Sequence, residues 1–581
     1  MALTALPVLI FAVQDPVTVN GRTAQTLILA QPVSADEKYR QIWDTVQRHA
    51  LMFNVSGGGD LNGRHNLPGA PMLDPLTAGL VALGLGWLLV RPRDWRTLML
   101  LGWAAVSMSG GILTLAFEAP QGVRTFGITP VLAVLGGIGL LASLDRLLGL
   151  VTLPSRVRAR RATVAMAGLG ALAVASIGWS NLDTYFNRQM RDANVFNSFS
   201  TRETVPAKAA LEGGGRYPSI LTSATMSPTV EGAFIVPDLQ ATIRPFDWAS
   251  DMPNRGPGPN LVFLETEHDQ ALADEFARMY PDAIRRPVRP PAGGKPIVEG
   301  FQLEPDVLAA HRGIAASYRG ADGTTLERPE ARPDTAANNP PVALPADVTW
   351  RSGIAIDATG EYSFRVPAGF ELRIDDAPLA SAAGTGVRVR LVRGNHALQM
   401  SGRIDPGARV GLEWRTPSLG QWQPVSADAF FAVPAGGLGL QLTLAAGQST
   451  EEYVDPVLAH FYHVSPFNRL HLEPSVWSAE WIGQLDAPTA GPYGFSLDHS
   501  QSAAVFIDDR QILGNLNAPS DVRNTIVTLT AGRHAIRARY EKTSEGSPWI
   551  DLFWTPPGAP PAVVPGSALY APPPIVLGSA Q

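Results

Sequence analysis

Cysteine is absent from the sequence, and there is little excess charge of either sign. The 46 Lys and Arg nearly balance the 52 Asp and Glu, which leaves a formal net charge of -6 over 581 residues. Without cysteine the chain can have no disulfide, thiolate metal site or thiol catalysis, although this absence does not identify a compartment. No basic tract extends across a folded region, so we expect no nucleic-acid partner. Motifs of a Gly-x-Ser-x-Gly nucleophile or a Gly-x-x-x-x-Gly-Lys-Ser/Thr phosphate loop are also missing.

Four long apolar runs almost free of charge lie in the first third of the chain, at residues 75–90, 98–117, 126–144 and 162–179. They predict a bundle of transmembrane helices. The alternative is that they are buried core helices of a soluble protein, but helices that are apolar all round favour a bilayer. A shorter apolar run at 3–13 has no basic residue before it, so we interpret it as the remnant of a span and not as a signal peptide.

The arginines between these runs predict the orientation of the chain. Three arginines lie within the connection 91–96, and four lie within 156–161, two spans later. By the positive-inside rule both connections face the cytoplasm. Residues 15–74, residues 118–125 and everything after 181 are then outside. We therefore expect a multi-pass protein of a bacterial inner (cytoplasmic) membrane whose C-terminal region is extracytoplasmic.

One amphipathic helix is predicted in the first outer segment. Ser34 and Glu37 form a capping box, and the apolar residues that follow, among them Tyr39, Trp43 and Phe53, recur at helical spacing. Such a helix can lie in the membrane interface or pack on the outer domain, and the sequence leaves both interpretations open.

A small α/β domain is predicted after the apolar region. The run 261–264 is typical of a buried strand, and Leu272, Phe276 and Met279 have the spacing of a helix that follows it. Carboxylates at positions 265, 267 and 269 surround the start of that helix. They could form a catalytic acidic cluster, but we favour the simpler interpretation that they complement the helix dipole.

The last half of the chain contains an internal repeat. Four short motifs occur in the same order in both copies, with Gly-x-Tyr-x-Phe at 360–364 and 491–495, Ile-Asp-Asp at 374–376 and 507–509, Gly-x-His at 394–396 and 532–534, and a closing Trp at 414 and 554. Apolar and polar residues alternate between the motifs, as at 387–391, which is typical of strands with one buried face. Each copy is therefore predicted to be a β-sandwich.

These observations give the predicted fold class, a multidomain membrane protein. It comprises a transmembrane helical domain with outer-face loops at 1–180, a small α/β extracytoplasmic domain at 181–303, and two tandem β-sandwiches. The first sandwich is expected at 304–417 and the second, with the tail, at 455–581. A stretch rich in Pro and Gly at 418–454 is expected to be a linker.

The repeated motifs resemble the PA-fourteen domain, a β-sandwich first named in a toxin's protective antigen. The resemblance implies carbohydrate binding. In lectin-type members of that family a neighbouring Asp-Asp pair holds a calcium ion, which carried over to this chain gives Asp375 with Asp376 and Asp508 with Asp509. The alternative, which we favour, is that each pair is a structural hairpin turn, because Asp is a favoured turn residue. The pair His460 and His463 has no third candidate ligand nearby, so no zinc site is predicted.

The membrane region resembles a second family, the C-terminal half of GT-C glycosyltransferases of the family 39, protein O-mannosyltransferase-like type. The resembling segments, in order, are 21–25, 64–69, 72–75 and 118–124, followed by Pro130. The resemblance implies transfer of a sugar from a polyprenyl-phosphate carrier to an extracytoplasmic glycan or protein acceptor, with membrane lipid as a further partner.

In that chemistry cations hold the lipid phosphate, and the topology places Arg64, His65 and Arg124 at the outer surface. They can form such a clamp, or they can simply neutralise lipid headgroups. The family's catalytic carboxylate belongs to a first outer loop that this chain lacks, so enzymatic activity is uncertain. Two functions therefore remain open, a glycosyltransferase or its C-terminal portion, and a non-catalytic membrane-anchored carbohydrate-binding or adhesion protein.

Overall fold

The structure, a computed structural model, describes residues 26–114, 116–149, 155–226, 230–379, 386–462, 464–516, 520–544 and 546–580. The predicted span remnant at 3–13, the motif at 21–25 and His463 lie outside these residues. The chain divides into two compact units. One comprises Met1–Thr201 with Arg289–Lys295, and the other comprises Arg202–Val288 with Pro296–Gln581.

The first unit is helical. Its helices are α1 (Ala35–Leu51), α2 (Pro75–Leu89), α3 (Trp95–Ile112), α4 (Thr129–Gly149), α5 (Ser155–Asp183) and α6 (Ala193–Ser198), and short 3₁₀ segments at Ala116–Glu118 and Val123–Ile128 precede α4. Side-chain caps begin several of them. Ser34 Oγ accepts the Glu37 N–H at 3.3 Å, as the capping box predicts, and the Asp74 carboxylate caps α2.

Helices α2 and α4 pack closely because glycines face the neighbouring backbone. A Cβ on Gly84 would lie 1.9 Å from the Leu135 carbonyl oxygen, and one on Gly139 would lie 2.0 Å from the Leu80 carbonyl oxygen. Any larger residue at either position would push the helices apart. The contact is of the small-residue type that apolar helices use in membranes.

The predicted number of membrane spans is only partly reproduced. Among the described residues, the helical stretches Val123–Leu147 and Thr163–Gln189 are long and apolar enough to cross a membrane, judged by length and composition, and Pro75–Leu89 is a shorter apolar helix. Most of the run 98–117 falls in α3, which does not meet the same criterion. A bundle of four or more spans is therefore not shown, and the membrane assignment stays a proposal.

The second unit opens with an α/β layer. Its strands are β1 (Ile220–Thr222), β2 (Ile243–Pro245), β3 (Asn260–Glu265), β4 (Ile284–Arg285) and β5 (Val298–Leu303), and its helices are α7 (Thr201–Gly213), α8 (Val230–Ile235), α9 (Trp248–Asp251), α10 (Gln270–Met279) and α11 (Pro305–Ala310). The sheet order is β2-β1-β3-β5-β4, with β1, β2 and β3 parallel. The strand predicted at 261–264 is β3, which is buried along its whole length, and the predicted helix is α10.

The first sandwich has two facing sheets. Its strands are β6 (Ile314–Arg319), β7 (Thr325–Glu330), β8 (Ala346–Ile356), β9 (Gly360–Arg365), β10 (Glu371–Ile374), β11 (Ala377–Leu379), β12 (Gly386–Leu391), β13 (Gly394–Ile404), β14 (Glu413–Thr416), β15 (Leu419–Pro424) and β16 (Phe430–Phe431). One sheet runs β11-β10-β13-β8-β6-β7, with β16 on β8, and the other contains β15-β14-β9-β12. Their inner faces enclose a core around Trp350, Phe364 and Met400.

The second sandwich repeats this plan. Its strands are β17 (Leu440–Ala446), β18 (Ser449–Asp455), β19 (Ala459–Phe461), β20 (Trp477–Ala487), β21 (Gly491–His499), β22 (Ser502–Ile507), β23 (Arg510–Gly514), β24 (Asn524–Leu529), β25 (Gly532–Lys542), β26 (Trp549–Thr555), β27 (Ala562–Val563) and β28 (Leu569–Tyr570). The order β18-β17-β20-β25-β22-β23 faces β19-β26-β21-β24 across a core around Trp481, Tyr493 and Tyr540.

Two segments differ from the predicted domain bounds. The stretch expected to be a linker, 418–454, contains β15 and β16, which belong to the first sandwich, and β17 and β18, which belong to the second. A final strand, β29 (Ile575–Ala580), pairs antiparallel with β12 of the first sandwich although it follows the second. The Pro and Gly residues that suggested a linker interrupt these strands without preventing them from pairing.

The α/β layer and both sandwiches meet at Arg393, in the turn between β12 and β13. Its guanidinium group is 5% exposed and donates to Asp247 Oδ2 at 2.7 Å, beside α9, and to Glu451 Oε1 at 3.2 Å, in β18. The same group lies over the ring of Tyr453. One buried cation thus holds three parts of the second unit together.

Candidate functional site

The Ile-Asp-Asp motif of the first sandwich forms a tight turn between β10 and β11. Asp375 and Asp376 have φ values of 47° and 62°, the left-handed pair that a type I′ hairpin turn requires. Asp375 Oδ2 lies 2.6 Å from His396 Nδ1, and Oδ1 accepts the Ala397 N–H at 3.0 Å. His396 Nε2 lies 2.9 Å from the Val392 carbonyl oxygen. The first aspartate therefore ties the turn to the Gly-x-His motif of β13.

The second sandwich contains the same arrangement, which we call the Asp-His clasp in both copies. Asp508 and Asp509 have φ values of 48° and 62°. Asp508 Oδ2 lies 2.7 Å from His534 Nδ1, and Asp508 Oδ1 accepts the Ala535 N–H at 3.0 Å. His534 Nε2 lies 3.0 Å from the Thr530 carbonyl oxygen. The Ile-Asp-Asp and Gly-x-His motifs, which are far apart in the sequence, thus contact each other in both sandwiches.

Both clasp histidines are placed to be protonated. Each ring has an acceptor at both nitrogens, which suits an imidazolium that donates twice. Burial opposes the charge on His396, but the Asp375 carboxylate outweighs it, so the pKa of His396 is raised. Partial burial likewise opposes the charge on His534, and Asp508 raises its pKa. In both copies the carboxylate therefore favours the protonated form of the histidine and an ion pair in the clasp.

This geometry bears on the predicted calcium ligands. Asp375 and Asp508 each direct both carboxylate oxygens at the clasp, and Asp376 Oδ2 pairs with Arg533 Nη1 at 2.7 Å. Within the described parts of the chain, no group of three His, Asp or Glu residues is arranged to hold a metal ion. The turn interpretation accounts for the first aspartate of each pair, and calcium binding stays a prediction.

The other predicted site lies in the loops of the helical unit. Asp60, which is buried, accepts the Gly122 N–H at 2.7 Å and lies 2.8 Å from His65 Nδ1 through the same oxygen. The neighbouring Arg124 is half-buried in the 3₁₀ segment Val123–Ile128. The two loops predicted to lie outside are thus joined through one carboxylate, which brings His65 to the segment that contains Arg124.

Arg64 takes a different direction from its neighbour. Its Nε donates to the Ser198 carbonyl oxygen, and Nη2 lies 3.3 Å from Ser200 Oγ. These contacts hold the loop to the C-terminal end of α6 and to the residues just after it. Of the three residues expected to form a phosphate clamp, Arg64 and His65 therefore both make contacts within the fold.

A buried carboxylate in each sandwich was not predicted from the sequence. Asp455 Oδ2 accepts the Trp481 indole N–H at 2.7 Å and lies 2.7 Å from His460 Nε2. Glu330 accepts the indole N–H of Trp350 at 2.8 Å, the equivalent position of the first sandwich. Aligning the two tryptophans in β8 and β20 was the signal that could have located this pair.

The acidic residues at the start of α10 form an ion-pair cluster. Glu265, fully buried at the end of β3, pairs with Arg202 at 2.6 Å and with His268 Nδ1 at 2.6 Å. The His268 ring stacks on Phe461 of the second sandwich at 4.0 Å between ring centroids. Burial raises the pKa of the adjacent Asp269. These contacts go beyond the expected complement to a helix dipole, because they hold the α/β layer against β19.

The second sandwich can be assigned to a known domain. Residues 458–566 match the PA14 domain. The match begins one residue before β19 and ends just beyond β27. It contains strands of both sheets and the Asp-His clasp but leaves out β17, β18 and β28. The first PA14-like sandwich shares the order of motifs and the geometry of the clasp. A search of curated proteins found no match to the chain.

Solved structures similar to parts of the chain include PA14 domains. An anti-sigma factor domain-containing protein from Clostridium clariflavum is 23% identical, with 45% of this chain and 100% of that chain covered and a TM-score of 0.22. Epithelial adhesin 6 A domain from Candida glabrata, solved in complex with Galb1-3GlcNAc, is 12% identical over 26% of this chain and 93% of its own, with a TM-score of 0.20. A PA14 sugar-binding domain from an RTX adhesin is 10% identical, over 23% and 99%, with a TM-score of 0.18. These scores are too low to bear on what this chain binds.

Proposed function

We propose that this chain is a glycan-binding protein whose binding module is the pair of PA14-type sandwiches. The observation that carries the proposal is the PA14 match of residues 458–566. The equivalent clasp in the first sandwich supports a second module of the same kind. The expected ligand is a carbohydrate, and binding by a single sandwich is expected to be weak.

The test is a glycan array probed with the full chain in detergent, once with calcium and once with a chelator. We expect at least one glycan to bind and to be released by its free monosaccharide. A signal lost on chelation would assign calcium to the site. The absence of binding to every glycan under both conditions would refute the proposal.

The cellular location belongs to the same proposal. We place the chain in a bacterial inner membrane with the β-rich region outside, because two long apolar helices and the alternating arginines favour it. The exposed rings of Tyr39 and Trp43 on α1 also suit a membrane interface. Protease added to intact spheroplasts is expected to digest the region after 181. Full protection there, with digestion after lysis, would refute this topology.

A glycosyltransferase portion is the second candidate function. It is favoured by the contact of Asp60 with Gly122 and His65, because two of the segments that resemble the GT-C family meet there. The family match covers the second sandwich and lends this candidate no support. We expect the chain alone, reconstituted with polyprenyl-phosphate sugars and acceptors, to transfer no sugar. Turnover that disappears on Asp60→Asn would establish a complete catalytic site within this chain.

A further inference from the structure

A cavity lies where the two sandwiches meet. Its volume is about 140 Å³, and its lining includes the side chains of Asp376, Asn395, Arg533 and Tyr570 and the backbone of the β16–β17 connection. At ~30 Å³ for each water, this space holds a few waters or one edge of a sugar ring. Two of the lining residues, Asn395 and Arg533, follow the glycine of the Gly-x-His motif in their respective copies. Equivalent positions of the repeat therefore converge on one space.

Asn395 is the unusual member of this lining. The residue is 2% exposed, and neither its side-chain nitrogen nor its side-chain oxygen has a hydrogen-bond partner among the described residues. A buried amide without partners costs free energy, so its retention in a fold calls for an explanation. Side chains alternate along β13, which puts Asn395 on the face opposite the core residue Leu398. A ligand that both donates to this amide and accepts from it would satisfy both atoms.

The charges beside Asn395 indicate the chemistry of such a ligand. The Asp376 carboxylate pairs with the Arg533 guanidinium at 2.7 Å, and that guanidinium lies 3.7 Å from the centre of the Tyr570 ring. An anion entering the cavity would be repelled by Asp376, and a cation would be repelled by Arg533. The site has acceptors on Asp376, donors on Arg533 and both on Asn395. A neutral group of neighbouring hydroxyls matches this set.

The cavity adjoins a larger groove. This groove, of about 410 Å³, shares Asp376 and Ala397 with the cavity and continues over Arg351, Arg373 and Gln399. The three further side chains are polar and project from β8, β10 and β13. A ligand anchored by one hydroxylated edge in the cavity has room for further sugar units along the groove.

We infer that the junction of the two sandwiches is a carbohydrate subsite, in which Asn395, Asp376 and Arg533 bind neighbouring hydroxyls of one sugar residue. The inference rests on the proposed glycan binding and names its site and the neutral, hydroxylated class of its ligand. The subsite is formed by both copies of the repeat, so neither sandwich has it alone.

The test uses the full chain in detergent and a panel of methyl hexosides and N-acetylhexosaminides, with binding measured by calorimetry. Asp376→Asn is the main variant, because asparagine also tolerates the left-handed turn. Asp509→Asn is its matched control, since Asp509 has the same φ of 62° at the equivalent turn and lines a different cavity. We expect Asp376→Asn to weaken binding at least about tenfold, as loss of a charge-assisted hydrogen bond does, and the control to change it less than twofold.

Asn395→Leu gives a second readout that does not depend on Asp376. Because the amide has no hydrogen-bond partner in the described parts of the chain, this change is expected to leave the midpoint of thermal unfolding unchanged or higher while it abolishes sugar binding. Sugar binding that survives both variants overturns the subsite but leaves the proposed function intact. Failure of the unmodified chain to bind any sugar overturns both. Binding of inorganic phosphate in place of sugars overturns the assigned ligand class.

Discussion

The two sandwiches contain the same Asp-His clasp in different surroundings. In the first copy the side chains of Asp375 and His396 are 10% and 4% exposed, whereas in the second those of Asp508 and His534 are 55% and 11% exposed. The hydrogen bonds agree within about 0.1 Å in length. Repetition has therefore preserved the geometry of the motif while the neighbouring sandwich has changed its solvent exposure.

The difference follows from which side of each turn is covered. Arg533 of the second sandwich pairs with Asp376, whose side chain stays 64% exposed, whereas Asp375 beside it is only 10% exposed. At the second turn the Asp508 carboxylate is 55% exposed. An ion pair in low dielectric is costly to break, whereas an exposed pair contributes little. The same Asp-His pair should thus contribute more to the free energy of unfolding in the first copy than in the second.

The largest expected effect comes from removing the clasp carboxylate in each sandwich and comparing the losses in stability. Asp375→Asn should lower the free energy of unfolding by about 3–5 kcal/mol, because it leaves the buried His396 imidazolium without its carboxylate. Asp508→Asn should cost roughly 1 kcal/mol or less, since its carboxylate is largely exposed. Asparagine keeps both left-handed turns, which makes the pair a matched control. Chemical unfolding followed by tryptophan fluorescence would measure both, and equal losses would contradict the role of burial.

Much of this pattern is visible in the sequence, and its limits are physical. The repeat predicts both sandwiches because alternating residues such as those at 387–391 encode one buried face. It does not reveal that Ile-Asp-Asp and Gly-x-His contact each other, because that contact depends on strand order. The cavity lined by Asn395 and Arg533 cannot be predicted from the sequence either, since it depends on how two folded domains pack against each other.

The predicted linker shows where composition misleads. Leu440, Leu442 and Leu444 alternate with polar residues and form the buried side of β17, a strand signal inside a stretch judged by its Pro and Gly content. The membrane region shows the opposite limit. Hydropathy located the helices at 75–90 and 126–144 well, but the length of a helix and not its apolar character alone decides whether it can span.

The second prediction concerns the pH dependence of stability near the buried carboxylates Asp455 and Glu330, which accept the indole N–H groups of Trp481 and Trp350. Burial opposes the charge on His460, but Asp455 outweighs it and raises the pKa of His460 to about 9. A histidine with a pKa higher in the folded than in the unfolded chain stabilises the fold fully below pH ~6.5 and loses that contribution as the pH rises through 9. We expect the second sandwich to lose roughly 3 kcal/mol over this range.

His460→Gln should flatten this pH dependence. The first sandwich is the internal control, because its Glu330 accepts hydrogen bonds from Tyr318 and Arg328 and not from a histidine. Burial is the main cause that raises the pKa of Tyr318. Glu330 raises the pKa of Arg328, although burial opposes this. Neither group loses its proton in this interval. Unfolding measured from pH 6 to 10 would test the difference, and an unchanged slope in the variant would contradict the assignment.

The smallest expected effect concerns the strand that the first sandwich acquires from the end of the described chain. Ending the protein after Pro574 removes β29, whose apolar residues Ile575, Val576 and Leu577 are 61%, 48% and 40% exposed. Because these side chains bury little apolar surface, and ordering the strand costs conformational entropy, its removal should lower the free energy of unfolding of the first sandwich by only about 1 kcal/mol. The second sandwich should unfold as before. A loss of several kcal/mol, or one confined to the second sandwich, would refute this estimate.

The pairing of β29 with β12 also affects when the first sandwich can finish folding. As the chain is synthesised from its amino end, β12 is available long before its partner, and the whole second sandwich is made in between. During that interval β12 presents an unpaired edge, which is the kind of surface that joins other chains. A strand so distant in sequence closes slowly, because its loop is long. The first sandwich is therefore exposed to mispairing until the ribosome has passed residue 580, and a chaperone acting on the emerging chain would have that edge to protect.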